Sequence, residues 1–98
     1  MPVMSQKLRL ESTLVASEHQ VHRVLDDEAV ILDLQKSAYF GTEGVGRLVW
    51  EKMQSPITVS AMLDEIVEQY EVSMETAQDD LLVFLQHLLD QSLIKFAP

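Results

Sequence analysis

The hydrophobic period of this chain changes once, between Ala38 and Trp50, in the stretch Ala-Tyr-Phe-Gly-Thr-Glu-Gly-Val-Gly-Arg-Leu-Val-Trp. Upstream, short aliphatic and β-branched runs are separated by turn residues; downstream, apolar residues recur three and four apart. A chain that switches period once must pack a small sheet against a helical cluster, which predicts an α+β domain. At 98 residues the chain has room for one such domain, burying roughly 65% of its unfolded surface.

Residues 1–13 mix charge with isolated apolar residues and are expected to form a loose arm, with the folded domain over 14–98. Leu14–Leu25 predicts one or two strands. Asp26-Asp27 separates two apolar runs and tolerates turn geometry, so a hairpin to a strand at Glu28–Leu34 follows. The continuous Ala-Val-Ile-Leu within that strand predicts a central position covered on both faces. Gln35-Lys36-Ser37 connects it to a third strand, Ala38–Gly41, whose outer edge has no later strand to pair with.

Helix one is expected over Glu43–Gln54, started by Thr42 or Glu43 and ended by Pro56. Helix two starts at Thr58, with Ile57 and Met62 as a staple across the cap and Val59, Leu63, Ile66 and Tyr70 along its apolar stripe. Ser73 caps helix three, which runs to about Gln91 with Ala77, Leu81, Phe84, Leu85 and Leu88 inward. Leu93, Ile94 and Phe96 return the tail to the core. Strands followed by three helices predict a winged helix-turn-helix-like shape, a three-stranded antiparallel sheet against a helical cluster with Trp50, Ile66 and Phe84 in the core.

Charge narrows the function. Sixteen acidic residues against seven basic ones give a net charge of −9, which repels nucleic acid and anionic lipid. Ile57 to Ile94 contains no lysine or arginine and eight carboxylates, so helix three cannot serve as a DNA-recognition helix in the usual cationic way. No nucleic-acid or membrane partner is expected. The absence of cysteine removes disulfides, thiolate metal sites and a cysteine nucleophile. The first residues lack the apolar core of a signal peptide and no apolar run is long enough to span a bilayer, so a cytoplasmic monomer is expected.

Catalytic groupings are missing as well. His19 and His22 fall on opposite faces of a strand and predict solvated side chains; His87 predicts helix surface or groove lining. The serines lie in no nucleophile elbow. Gly41, Gly44 and Gly46 do not match a phosphate loop and read as a sharp strand-to-helix turn with close packing at Gly46. The carboxylate clusters lack the spacing of a calcium loop. The chain is therefore expected to be no enzyme and to need no cofactor or metal.

What remains is an open strand edge beside a helix with more apolar surface than one core contact uses, the arrangement that strand addition of a peptide requires. On this basis the candidate peptide-binding residues are Ala38, Tyr39, Phe40 and Gly41 on the edge, with Asp79, Leu82, Val83, Gln86, Leu89 and Asp90 on helix three. Of Tyr39 and Phe40, adjacent on a strand, one must face the helices and the other away.

Several features in order resemble the PqqD-like family of peptide-recognition domains. They are Ala-Val-Ile-Leu-Asp-Leu in the second strand, Tyr39-Phe40-Gly41, Gly46 before Trp50, the helix from Thr58, Tyr70 before a Val-Ser link, and Asp80 followed by Phe84-Leu85, Leu88-Leu89 and Leu93-Ile94. The family often has Leu-Asn at the entry to helix one, where this chain has Thr42-Glu43. The resemblance implies a non-catalytic protein that binds the leader of a ribosomally made precursor peptide. It is most similar to the stand-alone recognition proteins of split lasso-peptide systems, which implies a separate cysteine-type leader peptidase and an ATP-dependent cyclase as partners. The alternative it implies is a PqqD-type peptide chaperone for a radical-SAM enzyme in quinone-cofactor synthesis.

Overall fold

The computed structural model describes residues 7–98. Its elements are β1 (Thr13–Ala16), β2 (Gln20–Leu25), β3 (Glu28–Asp33), β4 (Ala38–Glu43), α1 (Val45–Lys52), β5 (Ile57–Thr58), α2 (Val59–Gln69), α3 (Met74–Asp90) and β6 (Ile94–Phe96). The α+β, winged-helix-like order is as expected: an antiparallel sheet, β2-β3-β4, followed by three helices. Beside it stands a second sheet, ordered β5-β1-β6. β5 has two residues and β6 three, too few to show a period in the sequence. Leu14–Leu25 thus forms two strands in different sheets, split by the bend at Glu18-His19.

The arm is tied down where it is described. Residues 1–6 lie outside the described residues, but Leu8 and Leu10 pack against the core. The carbonyls of Leu10 and Ser12 accept the amides of Ser60 (2.9 Å) and Val59 (3.0 Å), two donors that the first turn of α2 leaves without helical partners. Leu8, Leu10 and Ser12 are therefore held against the domain.

Trp50, Ile31, Leu85 and Leu88 are fully buried and Ile66 is 2% exposed. Phe84, expected in the core, is only partly buried at its margin. Burial along β3 alternates, with Ala29, Ile31 and Asp33 inward, so the central strand is covered on one face and not on two. Val30 and Leu32 share the other face with the exposed Val21, Leu25 and Tyr39. Of the histidines, His22 is exposed and His87 lines a groove as expected, the His22 ring lying edge-on to Trp50 at 5.5 Å, whereas the Nε2 of His19 is buried.

Thr58 Oγ1 and Ser73 Oγ cap α2 and α3 by accepting the amides of Ala61 (3.2 Å) and Thr76 (3.1 Å). The start of α1 is built differently. Its N-cap position is Gly44, at φ +60°, a left-handed conformation that Thr42 or Glu43 would enter only with strain. The missing capping side chain comes from the hairpin tip. There Asp26 adopts φ +55°, and Asp27 Oδ2 accepts the amide of Gly44 at 3.0 Å. Asp27 Oδ1 also accepts from Arg47 Nε at 2.9 Å, and Arg47 pairs with Glu51 one turn on.

Asp27→Ala should lower stability by about 1 kcal/mol, the worth of a helix N-cap, whereas Asp27→Asn keeps a capping oxygen and should lose less. Urea unfolding of the two variants measures the difference; equal loss in both would assign the effect to the Arg47 ion pair instead of the cap.

Candidate functional site

β4 lies at the edge of its sheet. Its register against β3 pairs Ala29 with Thr42, Ile31 with Phe40 and Asp33 with Ala38, and the ladder continues in the bond from Gly44 N to Asp27 O. In an antiparallel pair the bonded residues alternate, so Ala38, Phe40 and Thr42 bond inward to β3. The amides and carbonyls of Tyr39, Gly41 and Glu43 then point away from the sheet, and no other strand among the described residues takes them. The same alternation turns the Phe40 side chain towards α3 and leaves Tyr39, 77% exposed, on the opposite face.

The wall facing this edge is the side of α3 that carries Phe84 and His87. Their rings lie 6.4 Å and 5.7 Å from that of Phe40, at tilted angles that aromatic pairs adopt. On either side of this cluster the groove opens into a hollow. One, about 470 Å³ and mostly apolar, lies between Thr42, Gly46, Tyr70, Ala77 and Phe84, and Glu71 and Asp80 are also among the residues that line it. The other, about 190 Å³ and more polar, lies between Lys36, Tyr39, Phe40, His87 and Gln91. Lys36 Nζ donates to the carbonyl of Gln91 at 3.0 Å, tying the β3–β4 turn to the end of α3.

Close approach at Gly46 sets the width of the larger hollow. A Cβ there would overlap Thr42 Oγ1 and come within 3.3 Å of Phe84 Cζ, as the glycine's position in the sequence suggests.

The structure brings together part of the expected set. Ala38, Tyr39 and Phe40 line the smaller hollow with His87, and Gly41 presents its backbone on the edge. The helical part lies elsewhere. At 100° per residue, Leu82 is about 160° round α3 from Phe84 and Leu89 about 140°. Both are partly buried against the core, so they complete its packing and do not form a spare apolar row beside β4. Gln86 and Asp90 are exposed and bonded to each other at 2.9 Å, and Asp79 is exposed on the same side. Val83 alone, 72% exposed, adjoins the Phe84–His87 face. The helix face that does meet β4 carries Asp80, Phe84, His87 and Gln91. Their spacing of three and four is legible in the sequence, but Phe84 also fits the core stripe and His87 and Gln91 are polar, so hydropathy points to the wrong row.

An α+β winged-helix-like domain in which the unpaired edge of β4 runs beside an aromatic helix face has the form of a small peptide-groove domain. Within that class, the family profile described as coenzyme PQQ synthesis protein D (PqqD) matches residues 28–94, and the chain belongs to the PqqD family. Among solved structures it is similar to "TbiB1 in Complex with the TbiA(beta) Leader Peptide". The two share 32% identity at a TM-score of 0.78, over 83% of this chain and 94% of that one. It also shares the fold of "Lasso peptide synthetase B1 complexed with the leader peptide", at 15% identity and a TM-score of 0.75, over 84% and 96% of the two chains. Comparison with curated proteins gives no match.

In Gly46→Ala, overpacking should cost about 1–3 kcal/mol, offset by the ~1 kcal/mol that alanine gains over glycine in a helix, for a net loss of up to about 2 kcal/mol. In a Thr42→Ala background, which removes the overlapping hydroxyl, most of that loss should disappear. Thermal unfolding of the double-mutant cycle reads the coupling, and additive losses would mean that the contact does not set the spacing.

Proposed function

We propose that this protein binds the leader segment of a ribosomally made precursor peptide, without catalysing a reaction itself, in lasso-peptide biosynthesis. The observation that carries this is the free edge of Tyr39, Gly41 and Glu43 beside the Phe40–Phe84–His87 cluster, in a chain 32% identical to a protein seen with a leader peptide on it. An extended peptide added to β4 would gain register from backbone hydrogen bonds and selectivity from alternate side chains falling into the hollows. The edge residues expected from the sequence, Ala38 to Gly41, stay in this site; on α3, Phe84 and His87 take the place expected for Leu82 and Leu89.

The bound leader would be presented to a separate cysteine-type leader peptidase, with an ATP-dependent cyclase acting on the released core. These partners rest on the family resemblance. The description of the matching profile favours a second reading, a peptide chaperone in quinone-cofactor synthesis. Gene neighbours discriminate: finding a peptidase and an asparagine-synthetase-like cyclase would support the first, and finding a radical-SAM enzyme the second. DNA binding is disfavoured in either case: α3 carries Glu75, Asp79, Asp80 and Asp90 with no lysine or arginine, whereas DNA affinity comes largely from cationic contacts.

Gly41→Pro removes an outward amide that takes no part in the β3–β4 ladder, at an edge position where proline is tolerated. Titrated with a fluorescein-labelled leader peptide that the parent binds, this variant and Phe84→Ala should each bind at least about tenfold more weakly, equivalent to about 1.4 kcal/mol. Their circular dichroism should stay that of the parent. Full affinity in both would sink the leader-binding site.

A further inference from the structure

The larger hollow carries an electrostatic asymmetry that shape alone does not explain. Its walls are apolar, yet two of its lining residues, Glu71 and Asp80, are exposed carboxylates, and no cation lines it. Neither takes part in an ion pair among the described residues, although Arg9, Arg47, Lys52 and Lys95 all have carboxylate partners. The two come from different elements, Asp80 from α3 and Glu71 from the α2–α3 link, and the fold brings them to one cavity that β4 lines through Thr42.

We propose that this hollow selects a basic peptide: it takes a large apolar or aromatic side chain of the leader as an anchor, and Glu71 and Asp80 receive a lysine or arginine two residues from it. The inference rests on the leader-binding reading and specifies the chemistry of the peptide. The spacing follows from strand addition. Side chains of an added strand alternate, so residues two apart point the same way and stand about 6.6–6.8 Å from each other. An anchor seated opposite Thr42 and Phe84 therefore has its next groove-facing neighbours at i−2 and i+2, while i−1 and i+1 turn to the outer face. A cation at one of the former can lay its aliphatic stem over the apolar wall and keep its charged head at the carboxylates in water. An acidic residue at the same position would meet two like charges with no counter-charge, so the hollow discriminates by repulsion as well as by attraction. A phenolic or aliphatic anchor without a neighbouring cation would fill the cavity and leave both carboxylates unpaired.

The test uses the full chain and a displayed library of random 12-residue peptides. Peptides that bind the parent but not Gly41→Pro are edge-bound, and these should be enriched in lysine or arginine over aspartate or glutamate at two residues from a large apolar position. A fluorescein-labelled peptide from that set should lose about three- to fivefold in affinity when its cation becomes glutamine, the effect of an exposed ion pair. The same change should have no effect on a Glu71→Gln/Asp80→Asn variant. Asp64→Asn/Glu68→Gln, a pair of exposed changes on α2 outside the hollow, should behave as the parent and controls for the loss of two charges. Edge-bound peptides with no cation preference, or an equal loss on the parent and the double variant, would overturn this inference and leave leader binding standing. Failure to recover any peptide sensitive to Gly41→Pro would count against the leader-binding reading itself. Light scattering that shows a dimer broken by Phe84→Ala would place a second copy in the groove and overturn the proposal.

Discussion

The hydrogen bond from the amide of Gly44 to the carboxylate of Asp27 is small in energy and large in consequence. It joins the tip of the β2–β3 hairpin to the first turn of α1, so the sheet and the helical cluster are registered at one point. An N-cap is worth only about 1 kcal/mol, far less than the burial of Trp50 alone, which at 0% exposure removes a large aromatic surface from water. Burial holds the two layers together but is non-directional. The cap and the Arg47 ion pair beside it say where along the hairpin the helix begins. Gly46 then lets α1 approach Thr42 and Phe84 closely, and that approach sets how far β4 stands from α3.

The groove is a by-product of this registration. Phe40 reaches inward because β4 alternates, and Phe84 meets it because α3 presents that face to the sheet. Neither ring is fully buried. Each gives part of its surface to the core and keeps part for the groove, so the core continues into the site without a polar boundary. An apolar wall beside free backbone donors and acceptors is what an extended peptide needs, since its own amides require partners as soon as they leave water. The second sheet plays a different part. It ties β1 to both β5 and β6, and the Glu18–Lys95 contact at 2.8 Å, which lowers the Glu18 carboxyl below its usual range, lies on the same side of the domain.

Much of this was legible in the sequence. The change of period at Ala38–Trp50, the caps at Thr58 and Ser73, the hairpin at Asp26-Asp27 and the crowding at Gly46 are local properties, decided by side chains a few residues apart. The open edge of the third strand followed by elimination. The less legible features involve residues distant in the chain. Gly44 has no side chain, and its capping partner stands seventeen positions earlier. β5 and β6 are strands only because β1 lies between them. Leu10 and Ser12 are ordered because their carbonyls meet the start of α2.

By itself the sequence determined the fold class, the order of the β2-β3-β4 sheet and the three helices, the acidic surface and the open edge of β4, because hydrophobic period and charge are carried by each segment independently of its neighbours. The rotation of α3 was decided only by tertiary structure. Leu82 and Leu89 make as good an apolar row on paper as Phe84 does with its neighbours, and amphipathic period alone cannot say which of two adjacent arcs meets the sheet. Leu82 and Leu89 pack against the core. Asp80, Phe84, His87 and Gln91 are thereby left to face β4. A helix has one rotation about its axis, and it is chosen by the sum of all its contacts.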